Sequence, residues 1–317
     1  MLIYFWWEIL KNQKKYRYEK VNALTFVSIL SAISVVFVLL SYFIGDVGLF
    51  LVLILPLCAS LVSVNVNFKY SLIYILATCL ISCIDFQMAL FVVIPSLISG
   101  FVFGKLIRVY LQGYYIILID ALILMIMQIG STYLVNFIYN IDLVNTMASL
   151  IKISESTFSK TYFLFLFMLS LIQASLSYLI ITSELRKFDY EFNEKKNKFL
   201  LSLFLETSLI ILTLTSMFFS HKIGYLLIGI SFYMGVVLGY YNFSFYRIKD
   251  ILSIQLPLYF ISIIVMVILL SYTKIINQPY LFLIPLISQL ITSSYIVFYQ
   301  KIVKKSRITS SIFDKLN

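Results

Sequence analysis

Two acidic residues stand inside long apolar runs: Asp120 in "GYYIILIDALILMIMQIGSTYLVNF" and Glu206 in "FLLSLFLETSLIILTLTSMFF". An ionised carboxylate is costly in hydrocarbon, so such residues usually face a bundle interior or water and mark an ion, proton or substrate path. Each lies about seven residues from the basic end of its run, roughly 10 Å deep at 1.5 Å per residue. Hydration at the membrane interface is therefore the competing reading, and the sequence leaves both open. Gln128, Asn136, Gln255 and Gln289 add polar groups to other apolar stretches, and with the two acids they form the candidate substrate-binding set. Ser131 and Thr132 lie beside them in the Asp120 run. The alternative role for buried amides is hydrogen bonding between helices.

A second pattern concerns contact rather than chemistry. Small residues at four-residue spacing let helix backbones approach closely. Ser28 and Ala32 form one such pair, Ser96, Gly100 and Gly104 a longer stripe, and Gly235 and Gly239 a third. Each serves either packing within the chain or docking of another membrane protein. Catalytic constellations are missing. The one histidine, His221, has no second His or nearby Glu to make a zinc site, and no serine has a base beside it. There is no GxxxxGK[ST] phosphate loop. Cys58, Cys79 and Cys83 lie in apolar stretches without histidine company, which points to packed thiols rather than a metal site or disulfide framework. Neither enzymatic activity nor a metal or cofactor is expected.

What must position these residues is a set of ten apolar runs: 23–44, 49–66, 70–84, 87–104, 113–138, 161–183, 199–219, 223–243, 251–271 and 280–300. A membrane helix needs roughly 20 mostly apolar residues to cross about 30 Å of hydrocarbon. The chain is 62% hydrophobic and 12% charged. Barrel strands would show about ten alternating residues, whereas these runs are continuous. The expected class is an all-α, polytopic transmembrane bundle of about ten spans. With a cytoplasmic N-terminus, twenty of the 24 Lys and Arg fall on the inside, leaving Lys152, Lys160, Lys222 and Lys274 outside. That split obeys the positive-inside bias and places both termini in the cytoplasm of a cell-membrane protein. The net charge of +10 then reports topology and contact with anionic lipid, not nucleic acid. Met1 to Leu10 lacks a basic start and a small-residue cleavage site, so the first span is expected to act as signal anchor.

Residues 1–22 read as a cytoplasmic interfacial segment, with Trp6 and Trp7 ahead of the basic stretch Lys11 to Lys20. A six-helix membrane part over 23–183 follows, then a charged cytoplasmic linker at 184–198, a four-helix part over 199–300 and a basic tail at 301–317. The third run is short, ending before Asp85, and the apolar middle of the outside segment 139–160 suits a surface-lying element. Prolines at 56, 95, 257 and 285 fall within runs and are expected to kink helices.

The basic lead-in, "ALTFVSILSAISVVFVLLSYF", "LFLVLILPLCASL" with Pro56, the Lys69-Tyr70 start and "IPSLISGFVFGKLIR" with Gly100 and Gly104 together resemble a known pattern. Residues 20–138 are similar to the substrate-binding S components of energy-coupling factor (ECF) vitamin transporters. They are most like the YybS-like membrane proteins (DUF2232), which carry additional helices. The resemblance implies a small-metabolite site near the outer face of the N-terminal six helices and energy from separate ATPase subunits. It also implies a coupling membrane subunit docked on a small-residue face of the first helix, here Ser28 and Ala32. Three readings follow: an S-component-like uptake subunit, a non-transporting membrane scaffold, and a secondary transporter using Asp120 or Glu206 as a proton site.

Overall fold

A computed structural model describes residues 18, 20–44, 48–187, 190, 199–245, 255–272, 279–295 and 298. Most of the expected interfacial segment 1–22, most of the linker 184–198 and the whole tail 301–317 lie outside the described residues. Every element among those residues is helical, and the described part of each of the ten apolar runs falls on a helix. They are α1 (Lys20–Ile44), α2 (Gly48–Asn65), α3 (Phe68–Ser82), α4 (Phe86–Arg108), α5 (Gly113–Tyr139), α6 (Leu143–Ile151) and α7 (Glu155–Arg186). After these come α8 (Phe199–Phe219), α9 (His221–Phe245), α10 (Leu256–Tyr272) and α11 (Tyr280–Tyr295), the last opening in a 3-10 turn at Pro279–Leu283. Six of them (α1, α4, α5, α7, α8 and α9) are long and apolar enough to cross a bilayer; α2, α3, α10 and α11 present shorter apolar lengths.

Polar residues at the run boundaries set where the helices begin and end. The Asn67 side chain accepts the Phe68 N–H at 2.7 Å and starts α3, and Asp85 accepts the Met88 N–H at 3.0 Å and starts α4. α3 is thus held to 15 residues, about 22 Å at 1.5 Å per residue and short of the hydrocarbon thickness. Asn140 ends α5 in the left-handed conformation at φ 53°. Asp142 then caps the nine-residue α6, which turns Leu150 outward, 77% exposed. Exposed apolar side chains cover the helices along their length, with Phe43, Phe137, Phe218 and Phe219 each more than three-quarters exposed. A surface of this kind belongs in lipid, not water. The protein is a membrane protein.

The chain divides into two compact units. The first comprises residues 1–152 and 165–196. Its core joins Ala23, Val27, Leu55, Val62, Tyr74 and Leu97 from α1 to α4. Gly100 and Gly104 bring α4 against α2 at backbone distance. A methyl on Gly100 would overlap the Pro56 carbonyl and lie 2.6 Å from Pro56 Cα. One on Gly104 would lie 2.7 Å from the Ser60 carbonyl oxygen. Ser63 Oγ donates across the contact to the Phe101 carbonyl at 2.8 Å. The small-residue stripe on α4 is therefore occupied by packing inside the unit.

Pro95 leaves a specific mark on α4. Lacking an N–H, it cannot donate to a carbonyl in the preceding turn. Residues Ala89–Val93 widen into a π turn, in which the Ile94 N–H reaches the Ala89 carbonyl. The Leu90 carbonyl, whose donor in that register would be residue 95, is satisfied instead by Ser131 Oγ from α5 at 2.7 Å. Of the other prolines, Pro56 is internal to α2. Pro257 is the second residue of α10, two residues after the π-helical Gln255, and Pro285 follows the 3-10 turn.

The second unit comprises residues 153–164 and 197–317. α8 and α9 form an antiparallel hairpin that reverses at Ser220, where the Ser220 N–H bonds the Ser216 carbonyl at 2.8 Å and Gly224 N–H bonds Ser220 at 3.0 Å. Ile210, Tyr225, Ile228, Leu283 and Leu286 make its core.

Candidate functional site

On α8, the buried residues Phe199, Ser202, Glu206, Ile210 and Thr213 recur at three- and four-residue steps and so share one face. Glu206 is carried into the bundle by that periodicity and is 1% exposed. Depth along the helix had left interfacial hydration open; the side chain instead points inward. Neither carboxylate oxygen has a hydrogen-bond partner among the described residues.

What surrounds Glu206 comes from α9 and α11. Gly235 leaves the α9 backbone bare: a methyl there would lie 2.9 Å from Leu286 Cδ2, 3.2 Å from Gln289 Oε1 and 3.7 Å from Glu206 Oε1. Leu286 and Gln289 of α11 thus pack closest to that backbone, with the Glu206 carboxylate in ordinary contact distance. Gln289 Nε2 donates to the Gly235 carbonyl. A methyl on Gly239 would lie 3.2 Å from Gln289 Nε2, so both glycines accommodate this amide. Ser293 Oγ donates to the Gln289 carbonyl at 2.7 Å, and Gln255 Nε2 reaches Ser293 Oγ at 3.4 Å. Five residues expected on separate grounds (Glu206, Gly235, Gly239, Gln255 and Gln289) form one buried polar cluster in the second unit.

The first unit holds the other carboxyl. Asp120 on α5 is fully buried and accepts from Ser99 Oγ of α4 at 2.8 Å, while its Oδ1 has no partner among the described residues. Ser96, also fully buried, lies on the stripe with Gly100 and Gly104, and its hydroxyl has no partner among those residues either. The remaining α5 residues do separate work. Gln128 Oε1 accepts from Ser170 Oγ of α7 at 3.3 Å. Asn136 Oδ1 accepts the Leu143 N–H at 3.1 Å and so ties α5 to the start of α6. Gln128 stands about 12 Å along the helix from Asp120, and Asn136 about as far again. The structure does not gather these three around one point.

Ser28 and Ala32 on α1 are exposed, and Ser28 Oγ donates to the Leu24 carbonyl of its own helix, at 2.9 Å. Of the cysteines, Cys58 is buried and Cys79 half-buried, while Cys83 is exposed just beyond the end of α3. Among the described residues no group of three or more His, Cys, Asp or Glu is placed to hold a metal ion. Sequence reasoning missed Ser99, which donates to Asp120, and Ser293, which links Gln255 to Gln289. Ser99 was visible only as one of two serines in "IPSLISG", with nothing to say which faced α5.

Residues 32–163 match a family model described as predicted membrane protein (DUF2232), the family to which the YybS-like resemblance pointed. No curated protein and no solved structure matches the chain.

Proposed function

We propose that this membrane protein, with its DUF2232 segment over residues 32–163, binds a small solute within its helix bundle for uptake across the cell membrane, with both termini cytoplasmic. One observation carries the reading. Two carboxyl side chains are turned into bundle interiors, 0% and 1% exposed, with three of their four oxygens lacking a hydrogen-bond partner among the described residues. A bare fold has no use for such groups, because burying them unpaired costs several kcal/mol, roughly. In a membrane helix they are kept where an ion or a polar solute passes. The chain's own chemistry is that of a binder rather than an enzyme.

The resemblance of residues 20–138 to ECF S components supports the form in which a vitamin-like metabolite is captured and separate ATPases supply the energy. In that form the exposed Ser28 and Ala32 face of α1 meets the coupling subunit. The scaffold reading has less support, since the α4 stripe is consumed within the chain and explains neither acid. Thermal stabilisation of the purified full-length protein across a panel of water-soluble vitamins and small organic cations tests the proposal. At least one solute should raise Tm in wild type and fail to do so in Asp120→Asn. A flat response across the panel would remove the support. Co-purification with ATPase subunits separates the ATP-coupled form from a secondary transporter.

A further inference from the structure

The start of α3 gathers cations and aromatic rings at a place where the bilayer must adapt to a short helix. α3 spans 15 residues, about 22 Å at 1.5 Å per residue against roughly 30 Å of hydrocarbon. Such a helix is matched by local thinning of the bilayer, with flanking residues reaching for the headgroups. Its exposed residues Phe68, Leu72, Leu76 and Leu80 recur at four-residue steps, so a continuous apolar stripe runs along it. Phe68, 54% exposed, packs edge-on against Phe101 of α4 with ring centroids 5.7 Å apart. The Lys105 ammonium lies 5.5 Å from the Phe101 ring centre and donates to the Ser63 carbonyl at 3.3 Å. Lys69, next to Phe68 in the chain, is exposed. The two ends of α3 carry opposite charge: Lys69 lies at its start, and Asp85 stands just past its end.

We infer that Lys69 and Lys105, at the packed Phe68–Phe101 pair, bind the headgroup phosphate of one anionic phospholipid whose acyl chain lies along the α3 stripe. In the proposed topology this end of α3 lies in the cytoplasmic leaflet. The stripe continues the lipid-facing surface of the protein, so a lipid reaches it directly. Two lysines favour an anionic headgroup over a zwitterionic one, while Asp85 disfavours it at the opposite end. Thinning over the short α3 draws the headgroup layer inward, toward Lys105, which stands about one turn inside the end of α4. The site is separate from the buried carboxyls, and it holds whether the solute reading stands or falls.

The test is thermal unfolding of the purified, delipidated full-length protein in detergent, titrated with phosphatidylglycerol or phosphatidylcholine at fixed ionic strength. Phosphatidylglycerol should raise Tm saturably, and phosphatidylcholine should not at the same concentrations. Lys69→Gln should raise the half-saturating concentration about fivefold, and Lys69→Gln combined with Lys105→Gln about 25-fold. Lys222→Gln, at an exposed lysine of the second unit, should leave the titration unchanged. Lys105→Gln also removes the bond to Ser63, so Lys69→Gln alone keeps the test decisive if the double variant does not fold. Equal effects of the two lipids would overturn the site, as would a phosphatidylglycerol effect that Lys222→Gln weakens as much as Lys69→Gln does. An equal rise in Tm with inorganic phosphate would also overturn it, by making the patch a soluble-anion site.

Discussion

Replacing Gly100 with alanine sets two opposing effects against each other at a place where the structure decides between them. Alanine is the better helix former by about 1 kcal/mol, chiefly through backbone entropy. At Gly100, however, the new methyl would overlap the Pro56 carbonyl and lie 2.6 Å from Pro56 Cα and 2.7 Å from Ala59 Cβ. Carbon atoms prefer separations of about 3.5–4.0 Å, so α2 and α4 must part by roughly 1 Å. The obstacle is backbone, which cannot swing aside as a side chain would. Separation also stretches the 2.8 Å bond from Ser63 to the Phe101 carbonyl. Overpacking of this kind costs about 1–3 kcal/mol, and weakening the buried bond adds about 1 kcal/mol. Net destabilisation of about 1–3 kcal/mol is expected once the propensity gain of about 1 kcal/mol is subtracted. Gly130 is the internal control, since nothing lies within 4 Å of a methyl there. Gly130→Ala should be neutral or stabilising by at most about 1 kcal/mol. Detergent-solubilised protein unfolded thermally or with SDS gives both values. Equal stability of Gly100→Ala and Gly130→Ala would refute the close approach of α2 and α4.

Ser131→Ala should cost about 1–2 kcal/mol by orphaning the Leu90 carbonyl. The same change should cost much less in a Pro95→Ala background, where residue 95 regains an N–H, and a double-mutant cycle on unfolding reads the coupling. Tyr74→Phe removes the 2.7 Å bond to Ser34 in the first unit's core and should lower stability by about 1–2 kcal/mol, measured in the same assay. Cys83 is the one exposed cysteine and lies outside in the proposed topology. A membrane-impermeant maleimide should therefore label intact cells, and Cys83→Ser should lose the signal. Labelling that appears only after the cells are opened would reverse the orientation.

How much of this was legible in the residues differs between fold and site. Lipid makes the sequence easy to read at the level of helices, because a spanning segment must satisfy its own backbone and so announces itself as a continuous apolar run. The short α3 was visible for the same reason, ending before Asp85, which caps the next helix; that Asn67 caps its start came from the structure. Facing directions were not legible. In an apolar helix nearly every side chain is hydrophobic, so no amphipathic stripe says which way Asp120 or Glu206 turns. Only packing shows that both turn inward. Local backbone compensation was hidden too. Pro95 predicted a disturbance, but not that it would take the form of a π turn mended by Ser131 from another helix. Asn136 and Gln128 looked equivalent to Asp120 in sequence. In the structure the first pins the start of α6, and the second bonds α7 through Ser170. The Gly235 and Gly239 spacing predicted close approach without revealing that Leu286 and the Gln289 amide are what come close.

The claim on which the functional account depends is that the buried carboxyls hold a solute. Wild-type protein, Asp120→Asn and Glu206→Gln, each purified as the full chain and checked for intact folding, would be equilibrated with one mixture of vitamins and small cationic metabolites. Mass spectrometry of what remains bound after rapid desalting then reads the claim directly. The account predicts at least one compound retained by wild type near one equivalent and reduced at least tenfold in one of the two variants. Identical retention by all three proteins would contradict it.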